Sequence, residues 1–322
     1  MNFQGISKIE NYKFYLTVAL KAAEDRTLVL KAKNDFKNKL EKSREIEAKK
    51  IRGIGKVISK SLIKIRNDYP KYSSLPDFYK ELLLCYLNPK ELDDSIEEIG
   101  RTINLVNEFT LKYSDKLSRT SDMQYINISR REYVGRLSSL LKKISKELMF
   151  LEEVRKLLKN LPVVKTGVKT ISIVGFPNVG KTTLLTMLTP SKAEIASYSF
   201  TTKGLNIGYI TYNTKKMQVI DTPGTLNRPE RMNVIERQAY LAIKHLAEIV
   251  IYVFDLTESY PIKDQIKLYE NIKRMDKPVV VYFSKADILE DEVMNEFLEK
   301  NKNIKEYYTD SEKLKEYLIE NM

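Results

Sequence analysis

A glycine-rich stretch near the middle of the chain has the residue types that bind phosphate. Residues 175–182 read GFPNVGKT and match the pattern G-x-x-x-x-G-K-[ST] at every fixed position. The glycines allow a tight loop of converging backbone N–H groups, Lys181 can reach the β- and γ-phosphates, and the Thr182 hydroxyl can ligate Mg²⁺. We therefore predict a nucleoside triphosphate site formed by Gly175, Phe176, Pro177, Asn178, Val179, Gly180, Lys181, Thr182 and Thr183.

The residues on either side of this loop have the order that the pattern requires. An apolar run at residues 170–174 predicts a buried strand, and Leu184, Leu185 and Leu188 after the loop have helical spacing. A strand, a glycine loop and a helix in this order place the positive end of the helix dipole at the phosphates. A chance glycine turn, the alternative, does not account for the matching flanks.

Two further stretches contain groups suited to the metal ion and the γ-phosphate. The sequence DTPG at 221–224 follows a predicted strand, so Asp221 can hold the Mg²⁺ shell through water and the Gly224 N–H can contact the γ-phosphate. The sequence SFTT at 199–202 precedes another strand, and a hydroxyl there would complete the Mg²⁺ shell only while the γ-phosphate is present. Together they predict a switch that responds to the state of the nucleotide.

The sequence SKAD at 284–287 predicts which base is bound. The Asp287 carboxylate can accept two hydrogen bonds from guanine N1–H and N2–H₂, which adenine does not offer, and the Lys285 stem can lie over the base. An ATPase is the alternative. Outside the phosphate loop, the predicted nucleotide-binding residues are Asp221, Thr222, Pro223, Gly224, Ser284, Lys285, Ala286 and Asp287.

The elements that must position these residues change character near residue 165. From Thr170 onward short apolar strands alternate with helical patterns, at Ile171–Val174, Leu205–Thr211, Met217–Ile220, Ile249–Phe254 and Val279–Phe283. Residues 1–160 contain few glycines and prolines, so they predict helices, one of them beginning at Asn88-Pro89. We expect an all-α helical-bundle domain over 1–162, then an α/β P-loop GTPase domain over 168–322, a mostly parallel sheet with helices on both faces. The apolar stripe expected in the bundle core is Leu137, Leu141, Ile144, Leu148, Leu151 and Leu158.

Positive charge is concentrated in the first half. Residues 1–160 hold 33 Lys+Arg against 22 Asp+Glu, and residues 161–322 hold 22 against 21. On the helix predicted at 49–66, Ile51, Ile54, Ile58, Leu62 and Ile65 form one face, and basic residues lie on the other. We take these as candidate contacts to an RNA backbone, with a plain solvated face as the alternative: Lys49, Arg52, Lys56, Lys60 and Lys64. Gly53 and Gly55 predict either a kink in this helix or a close approach of another backbone. A membrane-surface role is less favoured, because the apolar face of the helix lacks bulky aromatic residues.

The motifs resemble a known family. The sequences GFPNVGKTT, SFTTKGLNIG, DTPG and SKAD are similar to the Obg-related branch of translation-associated GTPases. The continuation DTPGTLNRP at 221–229, followed by NVIERQA at 233–239, resembles more narrowly the nucleolar GTP-binding protein 1 (Nog) family, in a short archaeal-type form. The resemblance implies GTP hydrolysis with Mg²⁺, GTP and GDP as ligands, and a role at the large ribosomal subunit during assembly. It also implies that Thr202 is the switch threonine.

The resemblance and the motifs together suggest roles in hydrolysis. We expect Lys181, Thr202, Gly224 and Asn178 to be catalytic, and Thr182, Thr202 and, through water, Asp221 to hold the metal. Thr225 stands where many small GTPases have a glutamine, so slow intrinsic turnover is expected. Asn178 either ligates K⁺ or only stabilises the loop, and both interpretations stay open. Ser284 stands where the guanine motif usually has asparagine. Arg228 could stabilise transition-state charge, but we favour a solvent-facing role for it. The sequence YTDS at 308–311 is a candidate for the fifth GTPase motif.

The expected partners are ribosomal RNA and a large-subunit precursor. The rival function is a nucleotide-gated module that binds acidic proteins, with hydrolysis incidental. No apolar run approaches the roughly 20 residues that span a bilayer, so no membrane partner is expected. The single cysteine, Cys85, indicates a reducing compartment and is predicted to lie in the core. We expect a cytoplasmic location and a monomer. The single histidine, His245, is predicted to be structural.

Overall fold

The structure is a computed structural model. It describes residues 3–32, 36–161, 163–165, 167–189, 205–212, 215–222, 232, 234–257 and 260–321. The chain divides into two compact units. The helical unit comprises Phe3–Leu75 and Leu87–Lys159, and the sheet unit comprises Pro76–Tyr86 and the residues from Asn160 onward.

Among the described residues, six α-helices precede the first strand. They are α1 Tyr12–Ala32, α2 Lys39–Asp68, α3 Asp77–Leu83, α4 Pro89–Arg119, α5 Met123–Lys143 and α6 Ser145–Lys159. The predicted start of α4 is confirmed, since the Asn88 side chain accepts a hydrogen bond of 3.0 Å from the Lys90 N–H and proline occupies the first turn. All six residues of the predicted core stripe are at most 2% exposed, which confirms that this stripe lies in the core of the helical unit.

The two glycines of α2 do not break that helix. Its apolar face is buried as predicted, and a Cβ built on Gly55 would lie 2.1 Å from Oγ1 of Thr110 on α4. Gly55 is therefore required by the close approach of α2 to α4, which decides between the two interpretations of this pair. The Thr110 hydroxyl in turn lies 2.9 Å from the Tyr133 hydroxyl of α5, in a buried contact.

The sheet unit contains six described strands. They are β1 Thr170–Val174, β2 Asn206–Tyr212, β3 Lys215–Asp221, β4 Ile249–Asp255, β5 Val279–Ser284 and β6 Tyr307–Tyr308. Their order is β2-β3-β1-β4-β5-β6, and every neighbouring pair is parallel except β2 and β3. The five predicted strands are confirmed to within two residues at each end. The antiparallel pair follows from the two-residue connection between β2 and β3, which is too short for a crossover.

The described part of the sheet unit contains five further α-helices, which follow its strands. They are α7 Lys181–Leu188, α8 Val234–His245, α9 Ile262–Lys273, α10 Asp291–Lys300 and α11 Ser311–Glu320. Within the described part of the chain, none of the helices is both long enough and apolar enough to cross a membrane.

Helix α3 lies in the sheet unit, although it comes from the part of the sequence assigned to the helical domain. Its Glu81 carboxylate accepts hydrogen bonds from Lys244 of α8 and lies 3.0 Å from Nε2 of His245. Its Tyr79 hydroxyl accepts a hydrogen bond of 3.0 Å from the Val164 N–H. Residues 76–86 therefore depart from the predicted boundary at 162, because burial against α8 and residue 164 determines where α3 packs. Cys85 at its end is half-buried, outside the core position expected for it.

Candidate nucleotide site

The predicted nucleotide-binding residues that the structure describes lie at one edge of the sheet. β1, β3, β4 and β5 run parallel, so their carboxyl ends lie side by side. Ile173 of β1 pairs with Asp221, and Asp255 of β4 pairs with Ser284. The phosphate loop begins directly after Val174. This edge is where open α/β sheets bind ligands.

The phosphate loop requires glycine at its first position because of close packing. A Cβ on Gly175 would lie 2.7 Å from the backbone oxygen of Val253 in β4, and its φ of 158° is in the region that favours glycine. Gly180, which precedes α7, has a left-handed φ of 88°. Asn178 is also left-handed at φ 63°, a conformation that asparagine tolerates better than most residues. The loop is thus held by its sequence in a curled backbone from which N–H groups can converge.

Lys181, the first residue of α7, is almost fully buried beside this loop. Its Nζ donates a hydrogen bond of 2.5 Å to the backbone oxygen of Phe176, so the side chain reaches across the loop. Burial lowers the pKa of Lys181 to about 8, although the Asp221 carboxylate acts in the opposite direction. A buried cation with its ammonium in the loop is well placed to bind a polyphosphate.

Thr182 and Asp221 join the loop to the end of β3. The Thr182 hydroxyl donates a hydrogen bond of 2.6 Å to Oδ2 of Asp221, and the Asn206 amide donates one of 2.9 Å to the same oxygen. Oδ1 of Asp221 is buried and has no hydrogen-bond partner among the described residues. A hydroxyl beside a buried carboxylate with an unsatisfied oxygen is a donor set that suits Mg²⁺, so these residues fit that ion.

The loop predicted to read the base follows β5. The Ser284 hydroxyl donates a hydrogen bond of 3.1 Å to the backbone oxygen of Phe254, and Lys285 adopts a left-handed φ of 55°. Residues 286–288 form a short 3-10 turn in which Asp287 is solvent-exposed. Asp287 is therefore available to a ligand at the sheet edge.

The structure adds side chains that the sequence reasoning missed. Asp255 is fully buried at the end of β4, with Oδ2 2.6 Å from Nζ of Lys285. The aromatic ring of Tyr260 lies 4.9 Å from that of Phe176 in the phosphate loop. The signal for Asp255 was present, since an acidic residue followed a predicted buried strand. For Asn206 the indication was the short, two-residue connection between β2 and β3, because the antiparallel pairing of these strands places Asn206 opposite Asp221.

Several predicted residues lie outside the described part of the chain. They are Thr201, Thr202, Pro223, Gly224, Thr225 and Arg228. The candidate fifth motif is described. It follows β6, and its Asp310 carboxylate accepts a hydrogen bond of 2.7 Å from the Glu312 N–H, which caps α11.

The basic residues predicted to face RNA are all exposed on α2. No described residue forms a hydrogen bond or ion pair with the side chain of Lys49, Lys56, Lys60 or Lys64. Arg52 is also exposed, and its Nη1 donates a hydrogen bond of 3.3 Å to the Ser114 hydroxyl of α4. The lysine face, defined here as these four lysines, is therefore a stripe of positive charge that no side chain in the described part of the chain pairs with.

Two family models match this chain and together span most of it. One, described as 50S ribosome-binding GTPase, matches residues 170–285, and the other, the NOG1 N-terminal helical domain, matches residues 6–165. The chain belongs to the nucleolar GTP-binding protein 1 family. Its carboxy-terminal half is accordingly a P-loop GTPase domain, and the family order of a helical domain before the GTPase domain is confirmed.

Relatives of this family member include proteins of similar and of greater length. An uncharacterized protein of Methanocaldococcus jannaschii is 38% identical over 271 residues, which are 81% of this chain and 76% of that protein. Nucleolar GTP-binding protein 1 of Drosophila melanogaster is 31% identical over 306 residues, 92% of this chain but only 46% of its own length. The chain thus spans less than half of that relative. The solved structure of a tyrosine-to-alanine variant of Aquifex aeolicus Era bound to GDP·AlF4− is 30% identical over 44% of this chain and 50% of its own, with a TM-score of 0.34.

Proposed function

We propose that this family member binds GTP with Mg²⁺, hydrolyses it slowly to GDP and phosphate, and binds ribosomal RNA of a large-subunit precursor through the lysine face. The bound nucleotide would time its release from that particle. The observation that supports the nucleotide half best is the contact between Thr182 and Asp221 beside the buried Lys181. Because a single cysteine is typical of proteins in a reducing compartment, we also infer a cytoplasmic location.

The residues of the phosphate loop would perform binding and charge neutralisation. Lys181 would transfer its hydrogen bond from the Phe176 oxygen to the β- and γ-phosphates, beside the loop N–H groups. Mg²⁺, when bound by the Thr182 hydroxyl and the Asp221 carboxylate through water, would neutralise charge on the phosphate oxygens. We propose Thr202 and Gly224 as the residues that contact metal and γ-phosphate from the two switch stretches, and Asp287 as the reader of guanine.

Asn178 carries a second proposal about the rate. Because its left-handed backbone belongs to the loop itself, its amide oxygen could ligate K⁺ next to the phosphates, or the residue could serve only to shape the loop. GTP hydrolysis measured in K⁺ and in Na⁺ at equal ionic strength separates the two. A higher rate in K⁺ that is lost in Asn178→Ala supports ligation, and equal rates in the two salts contradict it.

The lysine face supports the RNA half of the proposal. Four exposed lysines at steps of seven, four and four residues lie along about 22 Å of helix, at 1.5 Å per residue. Such a stripe suits a series of backbone phosphates, because it offers charge without groups that would read individual bases.

The test compares two charge-matched triple variants of the full chain. One variant replaces Lys56, Lys60 and Lys64 with Glu. The control replaces three exposed lysines of the GTPase domain with Glu, namely Lys267, Lys302 and Lys313. We expect the first to lose binding to large-subunit RNA and to reduce the log–log salt slope by about one per lysine, while the control retains both. Co-sedimentation with large-subunit particles that differs between GTP and GDP tests the switch. RNA-insensitive turnover together with a tight acidic protein ligand would favour the rival function.

A further inference from the structure

We propose that Asp255 is a positioning residue of the base pocket, whose carboxylate holds the Lys285 ammonium so that the lysine stem keeps the path on which a purine base stacks. The inference deepens the proposed nucleotide site and rests on it. Asp255 ends β4 directly opposite Ser284, the last residue of β5. Its Oδ2 lies 2.6 Å from Nζ of Lys285.

The charge balance at this position ties the two residues together. Asp255 is 0% exposed, and its Oδ1 accepts hydrogen bonds from the Thr257 N–H at 2.9 Å and the Thr257 hydroxyl at 2.6 Å. A fully buried carboxylate is stable only beside a compensating cation, and the Lys285 ammonium supplies that charge. The Lys285 side chain is 36% exposed, so it covers the carboxylate from the solvent side.

The backbone of Asp255 is fixed as firmly as its side chain. The Asp255 N–H donates a hydrogen bond of 3.0 Å to Oε1 of the fully buried Gln265 on α9. The amide nitrogen of Gln265 donates hydrogen bonds to the backbone oxygens of Asp255, at 2.8 Å, and of Tyr260, at 3.0 Å. Gln265 thereby holds in one place both the anchor of Lys285 and the residue whose ring packs on Phe176 of the phosphate loop. The anchor cannot shift without disturbing this network.

Anchoring matters because lysine is a flexible side chain. An unanchored Lys285 would sample many rotamers, and binding a base along its stem would have to restrict them. With the ammonium held by Asp255, the methylene groups are already in place. The effect acts on any purine, since a stem that covers the base plane does not contact the edge that Asp287 is proposed to read.

The experiment is a double-mutant cycle on the full chain, with Kd measured for GDP and IDP. The variants are Asp255→Asn, Lys285→Met and the double variant. Asp264→Asn, an exposed position on α9, is a control that changes net charge equally. We expect D255N to raise the Kd for GDP and the Kd for IDP by the same factor of about 10. In the K285M background, D255N should change either Kd by less than about twofold. D264N should bind both nucleotides as wild type does.

Three results would overturn the assignment, two of them in the affinities themselves. One is wild-type affinity in D255N, and the other is a D255N loss that adds in full to that of K285M. A changed GDP-to-IDP ratio in D255N would also overturn it, because that would indicate general damage to the Asp287 turn. If D255N does not fold, K285M and the double variant decide, since equal affinities support the assignment and a further loss in the double variant contradicts it. A wild-type chain that binds neither nucleotide would refute the nucleotide site itself.

Discussion

The hydroxyl of Thr182 donates a hydrogen bond of 2.6 Å to Oδ2 of Asp221, so the first turn of α7 is joined to the last residue of β3. The second oxygen of the same carboxylate is buried, and no residue in the described part of the chain forms a hydrogen bond with it. A buried acceptor of this kind is costly unless a cation or a water satisfies it. The pair therefore links the phosphate loop to the stretch that follows β3, which is where nucleotide-dependent change is proposed.

Removal of the Thr182 hydroxyl should uncouple nucleotide binding from Mg²⁺. In Thr182→Ala we expect GDP affinity measured with Mg²⁺ to fall by roughly tenfold or more, to near the value that wild type shows with EDTA. Titration of a fluorescent GDP analogue with and without Mg²⁺ provides the measurement. Thr186→Ala is the matched control, since Thr186 is exposed on the same helix and its hydroxyl donates a hydrogen bond to the Thr182 backbone oxygen. A Mg²⁺ effect that survives in Thr182→Ala would contradict the metal role.

The buried Lys181 predicts an unusual pH dependence. Its pKa is about 8 in the folded protein and 10.5 ordinarily, so between these values the unfolded chain binds more protons. The penalty of the buried charge is thus fully present below pH 8 and disappears as pH rises toward 10.5. We expect nucleotide-free Lys181→Met to exceed wild type in free energy of unfolding by on the order of 3 kcal/mol at pH 7, with the gap closing by pH 10.

Urea denaturation of both proteins from pH 7 to 10 measures this gap. The exposed Lys267, replaced by Met, is the control and should show a difference that does not change with pH. Parallel curves for wild type and Lys181→Met would show that the lysine is not desolvated in the folded protein.

The two glycines of α2 should respond in opposite ways to alanine. A Cβ on Gly53 would meet Cβ of Ala23 at an ordinary 3.5 Å, so Gly53→Ala should stabilise the helical unit by up to about 1 kcal/mol. A Cβ on Gly55 would lie 2.1 Å from Oγ1 of Thr110, so Gly55→Ala should destabilise it by about 1–3 kcal/mol. Thermal unfolding of the two variants is the measurement, each being the control for the other. Equal effects would mean that α2 and α4 do not approach closely at Gly55.

Helix α3 should contribute pH-dependent stability through Glu81. The Lys244 hydrogen bond holds the pKa of the Glu81 carboxyl below its usual value against the opposing effect of burial, with further help from His245. A lowered pKa means that this stabilisation is present above about pH 4.5 and is lost as pH falls through the folded-state value. Glu81→Gln should therefore cost up to about 1 kcal/mol at pH 7 and less near pH 3.

Chemical denaturation at the two pH values measures that loss. Glu97→Gln, at an exposed position on α4, should be neutral at both. A cost of the Glu81 change that is as large at pH 3 as at pH 7 would assign its effect to packing.

The sequence predicted the parts of the site that depend on local pattern. The loop from Gly175 to Thr182 was recognisable because glycine is needed where a backbone curls or where another chain segment approaches, and Val253 makes that approach in the structure. The strand that ends at Asp221 was recognisable from its apolar run. These features are set by near neighbours in the chain, which is why spacing alone was sufficient.

Contacts between distant segments were beyond the reach of pattern. The pairing of Asp255 with Lys285 spans 30 residues and depends on the register of β4 with β5. Likewise, few glycines and prolines indicated helices over residues 1–160, but nothing local indicated that α3 packs against α8. Which surface covers a helix is decided by the whole fold.

The segment Pro76–Tyr86 has a consequence for how this architecture can be inherited. The chain enters the sheet unit at residue 76, leaves it at residue 86 and returns only at residue 160. A gene fragment that begins at codon 160 would encode a GTPase domain without the cover that Tyr79, Leu82 and Leu83 provide. Exchange of one half between genes would leave a bare apolar face, so recombination is expected to carry the two halves together.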